Sequence, residues 1–378
     1  MEFTIDQKSF DKLIRDVSPA ISKNNRILPI LKGICLEASG GQIIAVGNDL
    51  EISLASFADA EIKEEGKVVL PFDKLSAIVK QLKDNIKVKV VKNKATVTCG
   101  KSRYQISGRP AEDFPVLPNS VGGVEIEVRG VDLARAIKRV KFAAPKTEHS
   151  IIQGTNLIIK DGKLILIAAD GVHVAKVEIP IETTQQMSIT IPTKALEIME
   201  KLDSDKIKIA ANNKIIHVEG DIALTSRLVA VLKIPYEGFI PKQFTGRVIV
   251  NRTKLLSAAQ GCAVFAANDN GIAFLSFTDN GVKIESKATE EGQAQEIVDA
   301  DVEMKSEAFY DIRRLISALK AIDYEEVVLE NAGDKSSIIV TPETESGFMY
   351  LLLGNVGYRG EKESDDSTGS DSDSTASD

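Results

Sequence analysis

The sequence has few of the residues that form covalent cross-links, metal sites or membrane spans. It contains three cysteines, Cys35, Cys99 and Cys262, which lie far apart in apolar stretches without metal-ligand spacing. We interpret them as buried, reduced thiols of a cytosolic protein. No apolar run approaches the ~20 residues that span a bilayer. The N-terminus MEFTIDQKSF lacks a basic segment followed by an apolar core, so it does not resemble a secretory signal. The composition therefore predicts a cytoplasmic protein without contact to a membrane.

The motifs of common enzyme classes are also missing. The sequence has no GxxxxGK followed by Ser or Thr, no GxGxxG after a strand, no HExxH and no GxSxG. Its three histidines, His149, His173 and His217, show no ligand spacing. Glu197 and Glu200 lie three residues apart beside two lysines, which is typical of a solvated helix face. These observations favour a protein without catalytic activity, metal or cofactor.

Acidic residues are concentrated at the C-terminal end. The 378 residues carry a formal charge of −8. Seven acids and one base lie in residues 361–378, which gives −6 there and leaves −2 for residues 1–360. Residues 361–378 contain no apolar side chain larger than alanine, so burial cannot offset the entropy of ordering them. We predict a disordered acidic tail over 359–378 and, because the remainder is nearly neutral, room for locally basic surfaces.

The chain repeats one order of elements three times. Each third begins with an amphipathic helix and continues with strands rich in Ile and Val that converge on a turn containing Asp. A second helix then leads into alternating strands. The predicted first helices cover 9–22, 130–144 and 251–267. The predicted turns lie within 46–54, 168–179 and 277–287, and the predicted second helices cover 71–82, 192–202 and 306–319.

Matching residues in the first two thirds share one spacing. The separations are 121 residues for two pairs and 123 for a third, and the pairs are Asp49 and Asp170, Leu75 and Leu196, and Pro118 and Pro241. A period near 120 is too long for a solenoid and is typical of tandem domains. We predict an α+β fold in which each domain packs two helices on antiparallel sheets. The predicted domains cover 1–122, 123–245 and 246–358.

Six stretches resemble the bacterial DNA polymerase III β subunits, the sliding clamps. They are LPILKGI (28–34), NDLEISL (48–54), VVLPFDKLSAIVKQL (68–82), SRYQISGRPAEDFPVLP (102–118), ADGVHVA (169–175) and TSRLV (225–229). In family order on a threefold repeat, they extend the resemblance over about residues 1–356. The resemblance implies a ring-shaped, head-to-tail homodimer with sheets outside and helices lining the hole. It further implies a processivity factor that encircles duplex DNA, without enzymatic activity or cofactor.

The resemblance also implies that the helices' polar faces meet DNA. Bases outnumber acids on most of these faces, which suits sequence-independent attraction to phosphates, although lysines and arginines also keep exposed helices soluble. The loop 22–27 matches a position where the family carries a basic residue that contacts DNA. The expected DNA-facing residues are Lys12, Lys23, Arg26, Lys80, Arg135, Lys138, Lys201 and Arg313. Arg139 and Arg314 fall on the same polar faces in this pattern.

Two protein-binding surfaces follow from the resemblance. A groove between the second and third domains would bind short linear motifs of DNA polymerase and clamp-loader subunits. Its expected residues are Ile152, Ala169, Gly171, Val172, His173, Val174, Leu351 and Leu353, with His173 standing where the family usually has Arg. At the seam between subunits, Val264 and Phe265 of the third domain would meet Ile78 and Leu82 of the partner's first domain.

Three other interpretations remain open at this point. A plasmid- or phage-type clamp paralogue would share the ring but bind standard clamp-binding peptides weakly. A DNA-processing enzyme on the same scaffold would need clustered acids or a metal site. A purely structural scaffold would form the fold without retaining DNA. Peptide binding, metal-dependent nuclease assays and retention on DNA separate the three.

Overall fold

The structure, a computed structural model, describes most of the chain. The described residues are 1–22, 27–118, 122–145, 154–230, 238, 244, 246–266, 270–290, 292–303, 306–331 and 337–354. Lys23, Arg26 and Ile152 lie outside them, as does the acidic tail. None of the helices in the described part could cross a lipid bilayer.

The described residues of the first third of the chain form nine strands and two helices. The strands are β1 (Glu2–Ile5), β2 (Gly33–Ser39), β3 (Gln42–Asn48), β4 (Ile52–Asp59), β5 (Glu61–Glu64), β6 (Gly66–Pro71), β7 (Ile86–Val91), β8 (Lys94–Cys99) and β9 (Ser102–Ser107). The helices are α1 (Gln7–Val17) and α2 (Phe72–Gln81). The Asp6 carboxylate caps α1 by accepting from the Ser9 backbone N–H at 2.9 Å. The helix predicted over 9–22 ends at Val17, because Pro19 cannot donate the next backbone hydrogen bond.

The second third repeats this order, with eight strands in the part that the structure describes. The strands are β10 (Val124–Arg129), β11 (Thr155–Lys160), β12 (Lys163–Ala169), β13 (His173–Pro180), β14 (Met187–Ile191), β15 (Lys206–Ala211), β16 (Ile215–Glu219) and β17 (Ile222–Arg227). The helices are α3 (Gly130–Val140) and α4 (Thr193–Met199). The helix predicted to reach residue 202 is shorter, so Lys201 follows α4 instead of belonging to it.

The last third has nine strands and two helices among its described residues. The strands are β18 (Arg247–Asn251), β19 (Ile272–Thr278), β20 (Gly281–Ser286), β21 (Gln295–Val298), β22 (Ala300–Val302), β23 (Ser306–Asp311), β24 (Glu326–Asn331), β25 (Ile338–Pro342) and β26 (Phe348–Leu352). The helices are α5 (Arg252–Ala266) and α6 (Ile312–Ala321). The helix predicted over 306–319 is wrong in its first part. Residues 306–311 form β23, which pairs along β19, and α6 begins only after the Asp311 carboxylate caps the Arg313 N–H at 3.1 Å.

The predicted turns are confirmed, and the first two have the same chemistry. The Asp49 Oδ1 accepts hydrogen bonds from the backbone of Glu51 and Ile52 at 3.0 and 2.8 Å. The Asp170 Oδ1 accepts from Val172 and His173 at 3.0 and 3.2 Å. A carboxylate that caps its own turn explains why Asp recurs at this spacing.

Two large antiparallel sheets run across the boundaries between thirds. An eight-stranded sheet, β10-β15-β16-β17-β4-β3-β2-β6, joins the first and second at β17–β4. A nine-stranded sheet, β14-β11-β12-β13-β26-β25-β24-β18-β22, joins the second and third at β13–β26. Two smaller sheets, β5-β1-β7-β8-β9 and β21-β20-β19-β23, belong to the first and third alone. The three units are therefore linked by continuous backbone hydrogen bonding.

The three cysteines are buried in the folded domains and form no disulfide. Burial raises the pKa of Cys35 and of Cys262 to about 11, which keeps both thiols protonated at neutral pH. The prediction of buried, unbridged cysteines is confirmed. Among the described residues, no cluster of three or more His, Cys, Asp or Glu side chains could hold a metal ion.

Candidate partner groove and DNA-facing helices

The pairing of β13 with β26 brings the expected groove residues together. Val174 lies opposite Leu351 in this antiparallel pair. Both side chains, with Ala169, belong to a small apolar cluster that is separate from the main core, and Leu353 packs against it. The Leu353 backbone N–H also donates to the Val172 carbonyl at 3.1 Å. We call Ala169, Val174, Leu351 and Leu353 the groove cluster.

Gly171 and Val172 form the turn at one end of the groove cluster. Gly171 has a φ of +94°, a conformation that favours glycine, although a Cβ there would meet no atom within 4 Å. Val172 is exposed beside it. The turn therefore places an apolar side chain in solvent next to the groove cluster, as a peptide-binding surface requires.

His173 lies on the other face of the sheet, which corrects its expected place on the groove surface. Successive strand residues point to opposite faces, so His173 cannot share a face with Val174. Its ring is 4% exposed, packs edge-on against Phe142 and Tyr350, and places Nδ1 2.8 Å from the Tyr350 hydroxyl. His173 supports the β12–β13 turn from behind instead of meeting a peptide.

Asp170 ties this turn to the third domain. Its Oδ2 lies 3.3 Å from His173 Nε2 and accepts from Arg314 Nη1, while Arg314 Nε lies 3.4 Å from Asp311 Oδ2. Burial opposes the charge of Asp170, but hydrogen bonds from His173 and Arg314 hold the pKa of its carboxyl well below the ordinary value. Burial also raises the pKa of Tyr350. The groove cluster thus lies on a fixed interdomain support.

Asp170 is expected to make the protein sensitive to acid. Because its pKa is depressed in the folded state, its stabilisation is present above the unfolded-state pKa of ~3.9 and is lost as pH falls below that value. Asp170→Asn should lower the melting temperature at pH 7 and flatten its decline between about pH 4 and pH 2. Thermal melts across this range check the prediction. Asp161→Asn, an exposed turn residue, should follow the wild type, and equal slopes for all three proteins would contradict the assignment.

Most of the described basic residues expected to face DNA are exposed on helices or next to one. They are Lys12 on α1, Lys80 on α2, Arg135 and Lys138 on α3, and Lys201 after α4. Two of them form ion pairs across domain boundaries: Lys12 lies 3.9 Å from Asp221, and Lys138 lies 3.3 Å from Asp323. Both ion pairs leave the lysines about half exposed, so their charge remains accessible to solvent.

Three arginines on the predicted polar faces are engaged within the protein. Arg313, although exposed, bonds Asp311, which raises the pKa of its guanidinium. Arg314 is held by Asp170. Arg139 is 2% exposed, so the prediction that it lies on a DNA-facing surface is wrong. The helical pattern put it on the polar face, but residues of the third domain cover that part of α3.

The expected seam residues differ in exposure. Val264 on α5 is 71% exposed, Phe265 and Ile78 are half-buried, and Leu82 is 7% exposed within the core of its own domain. Leu82 therefore offers little surface to a partner. The sequence reasoning missed the edge strands β9 and β21, which expose Tyr104 and Ile297. A strand-by-strand alignment of the third repeat with the first two could have pointed to these two edge strands.

Comparison with known proteins identifies the family. Sequence profiles of the DNA polymerase III beta subunit match along the chain: its N-terminal domain at residues 1–118, its central domain at 127–231 and its C-terminal domain at 238–355. The chain belongs to this family. The beta sliding clamp of Staphylococcus aureus is 29% identical over 375 aligned residues, which cover 93% of this chain and 98% of that protein.

Solved sliding clamps have the same fold. The DNA polymerase III subunit beta of Pseudomonas aeruginosa superposes with a TM-score of 0.88 at 25% identity, covering 94% of this chain and 100% of that one. The sliding clamp of Bacillus subtilis gives 0.89 at 23% identity, covering 95% and 100%. The prediction of three tandem α+β clamp domains is confirmed. The chain is a sliding clamp, a non-enzymatic processivity factor, and nothing favours the paralogue.

Proposed function

We propose that two copies of this clamp close head to tail around duplex DNA and hold polymerases there through the groove cluster. The observation that carries the proposal is the pair of small sheets at the two ends of the chain. Counted over the described residues, the sheets across the internal domain boundaries have eight and nine strands, whereas the end sheets have five and four. Pairing the five strands of one protomer with the four of its partner gives nine, as at the second internal boundary.

The repeat identifies the edges that would pair. The fourth strand of the first domain, β4, pairs with the last strand of the second, β17. Likewise the second domain's β13, which directly follows the Asp170 turn, pairs with the last strand of the third, β26. In the third domain the strand that follows the turn, β20, is already paired on its outer side with β21. The strands left to pair are therefore β21 and β9, the last strand of the first domain. Both are sheet edges within the described residues, so a third joint of the same kind would join β21 to the partner's β9.

The packing of helices at an internal boundary supports the same arrangement of the seam. At the second internal boundary, the first helix of one domain, α3, packs near the second helix of the next, α6. The equivalent pair at the seam is α5 with the partner's α2. These helices carry Val264, Phe265 and Ile78, which supply apolar surface for a ring that must also open.

Hydrogen exchange tests the seam directly. In the dimer, backbone amides of β9 and β21 should be protected as strongly as those of internal strands, because both edges are paired. The edge strand β5 should remain exchangeable and serves as the control from the same sheet. Protection of β9 and β21 should fall on dilution below the dimer dissociation constant. Exchange of β9 as fast as β5 at high protein concentration would contradict strand pairing at the seam.

The exposed bases suit contact with DNA of any sequence. Lys12, Lys80, Arg135, Lys138 and Lys201 lie on helices or next to one, in a chain that is slightly acidic over residues 1–360. Phosphate attraction of this kind weakens steeply with salt and ignores base identity. A ring held on chromosomal DNA in this way would be associated with the nucleoid.

The groove cluster suits an extended peptide with apolar anchors. Ala169, Val174 and Leu351 are buried, so the accessible apolar surface comes from the half-buried Leu353 and the exposed Val172. Leu or Phe side chains of a linear motif would bury against these two. DNA polymerase and clamp-loader subunits are the proposed partners. The fixed support from Asp170 and Arg314 would keep the surface preformed and limit the entropy lost on binding.

The acidic tail is proposed to tune partner choice by charge. In the sequence it follows closely on β26, one strand of the groove, so we expect its charge to act near the groove. Its charge of −6 would attract basic peptides and repel acidic ones within about 10 Å at 0.1 M salt.

Deleting 361–378 should leave the dimer intact. It should weaken the binding of basic peptides and strengthen the binding of acidic ones, each about two- to fivefold at low salt. Peptide titrations at two salt concentrations check this. Unchanged affinities would leave only a solubilising role.

A further inference from the structure

An unbroken series of charged side chains joins the turn of the partner groove to the start of helix α6. We call Arg313, Asp311, Arg314 and Asp170, taken in this order, the α6 network. Asp311 holds Arg313 with both oxygens, Oδ1 to Nε and Oδ2 to Nη2, each at 2.9 Å. Arg314 Nε lies 3.4 Å from the same Asp311 Oδ2, and Arg314 Nη1 donates to Asp170. The charges alternate in sign along the whole series.

The two ends of the α6 network differ in their access to solvent. The Arg313 side chain at one end is 61% exposed, and it also donates to the Asn270 carbonyl. At the other end the Asp170 carboxylate is mostly buried, and its Oδ1 accepts from the backbone of Val172 and His173 in the groove turn. An anion arriving from solvent therefore meets Arg313 first. Because the members behind it are largely buried, water and salt screen the interactions between them only weakly.

One oxygen of Asp311 is shared by two arginines. Its Oδ2 lies 2.9 Å from Arg313 Nη2 and 3.4 Å from Arg314 Nε, and the second distance is longer than a well-formed charge-assisted hydrogen bond. The two guanidinium groups thus compete for this oxygen, and Arg313 has the better position. Arg314 uses a different nitrogen for Asp170, so it could bind both carboxylates at full strength if Arg313 were withdrawn.

We propose that a DNA phosphate bound to Arg313 tightens the partner groove at the other end of the α6 network. The phosphate draws Arg313 away from Asp311, Asp311 Oδ2 closes on Arg314, and Arg314 then holds Asp170 and the turn with Val172 more firmly. A turn fixed before the peptide arrives loses less entropy on binding. This coupling rests on the proposed function, because it requires α6 to face the duplex and the groove to bind peptides.

The coupling would direct partners to clamps that are already on DNA. A free clamp would bind polymerase motifs less tightly than a loaded one. By thermodynamic linkage, a bound peptide would raise the affinity of the clamp for DNA by the same factor.

Peptide titrations of free and DNA-bound clamp test the coupling. The full-length clamp is loaded on nicked circular DNA by a clamp loader and is then separated from the loader by gel filtration. A fluorescein-labelled peptide with Leu and Phe anchors is titrated against this complex, against free clamp and against the DNA alone, with fluorescence anisotropy as the signal. The loaded clamp should bind the peptide about fivefold more tightly than the free clamp.

Three substitutions locate the route. Arg313→Gln should bind the peptide equally on and off DNA, with the affinity of the loaded wild type, because Asp311 is already released to Arg314. Asp311→Asn keeps a good N-cap for α6 but removes the charge, so it should bind equally on and off DNA and no more tightly than the free wild type. Lys320→Gln removes an exposed cation from the last turn of the same helix and should keep the fivefold difference.

Equal or weaker binding of the peptide by loaded wild-type clamp would overturn the coupling. So would an Arg313→Gln clamp that keeps the fivefold difference, because the effect would then follow another route. Failure of the proposed function gives different results in the same samples. A peptide that does not bind the free or the loaded clamp would remove the groove, and clamp that leaves the circles during gel filtration would remove encirclement. Either result would also remove the basis of the coupling.

Discussion

Replacing Val264 and Phe265 with glutamate is expected to convert a dimer into folded monomers. Both side chains lie on α5, and the 71% exposed Val264 has no packing role that explains an apolar residue there. Two buried, unpaired carboxylates at the seam would cost several kcal/mol, enough to raise the dissociation constant more than a thousandfold. Size-exclusion chromatography with light scattering measures the change, and circular dichroism verifies folding.

Val131→Glu is the matched control for this experiment. Val131 is a similarly exposed valine on α3, the first helix of the second domain, at 58% exposure. It lies away from the proposed seam, so this variant should remain dimeric. A double variant at Val264 and Phe265 that still elutes as a dimer, or a Val131 variant that dissociates equally, would remove α5 from the seam.

Arg139→Met is expected to lower the free energy of unfolding by about 3 kcal/mol. Methionine keeps the apolar stem between Tyr324 and Phe348 but leaves the Glu345 carboxylate without its cation, and breaking a largely buried ion pair costs about this much. The loss should concentrate at the joint between the second and third domains. Urea unfolding followed by circular dichroism gives the total, and hydrogen exchange of α3 and β26 locates it.

A second substitution separates the ion pair from simple packing. Glu345→Gln in the Arg139→Met background should recover at least 1 kcal/mol, because the unpaired carboxylate is then removed. Glu345→Gln alone should cost less than Arg139→Met, since the Glu345 side chain is partly exposed. If the double variant is as unstable as the sum of the single ones, Arg139 acts through packing alone.

The repeat and the turns could be predicted from sequence because they depend on local chemistry. Asp49 and Asp170 cap their own turns, so the same residue type recurs wherever the same turn is needed. The first helices were recognisable from their apolar spacing. Residues 306–311 resemble a helix continuous with α6 in the sequence, but they form a strand because they pair with β19. Tertiary hydrogen bonding outweighed local preference there.

The faces of individual side chains were harder to predict. His173 and Val174 are neighbours in sequence, and only the register of β13 against β26 decides which one meets the groove. Arg139 fits the polar face of an isolated α3, yet Tyr324 and Phe348, which follow it by 185 and 209 residues, enclose it. The open edges β9 and β21 are properties of the assembled sheets, so only a comparison of whole repeats, and no local pattern, could point to them.

Retention on closed circular DNA against linear DNA of the same sequence tests encirclement most directly. Clamp loaded on both forms by a clamp loader is separated from free protein by gel filtration at moderate salt, where phosphate attraction alone is weak. A closed ring should stay on the circle and leave the linear form within minutes through its ends. Cutting the circle with a restriction enzyme should release the protein. Equal retention on circular and linear DNA, or retention after cutting, would contradict a ring around DNA.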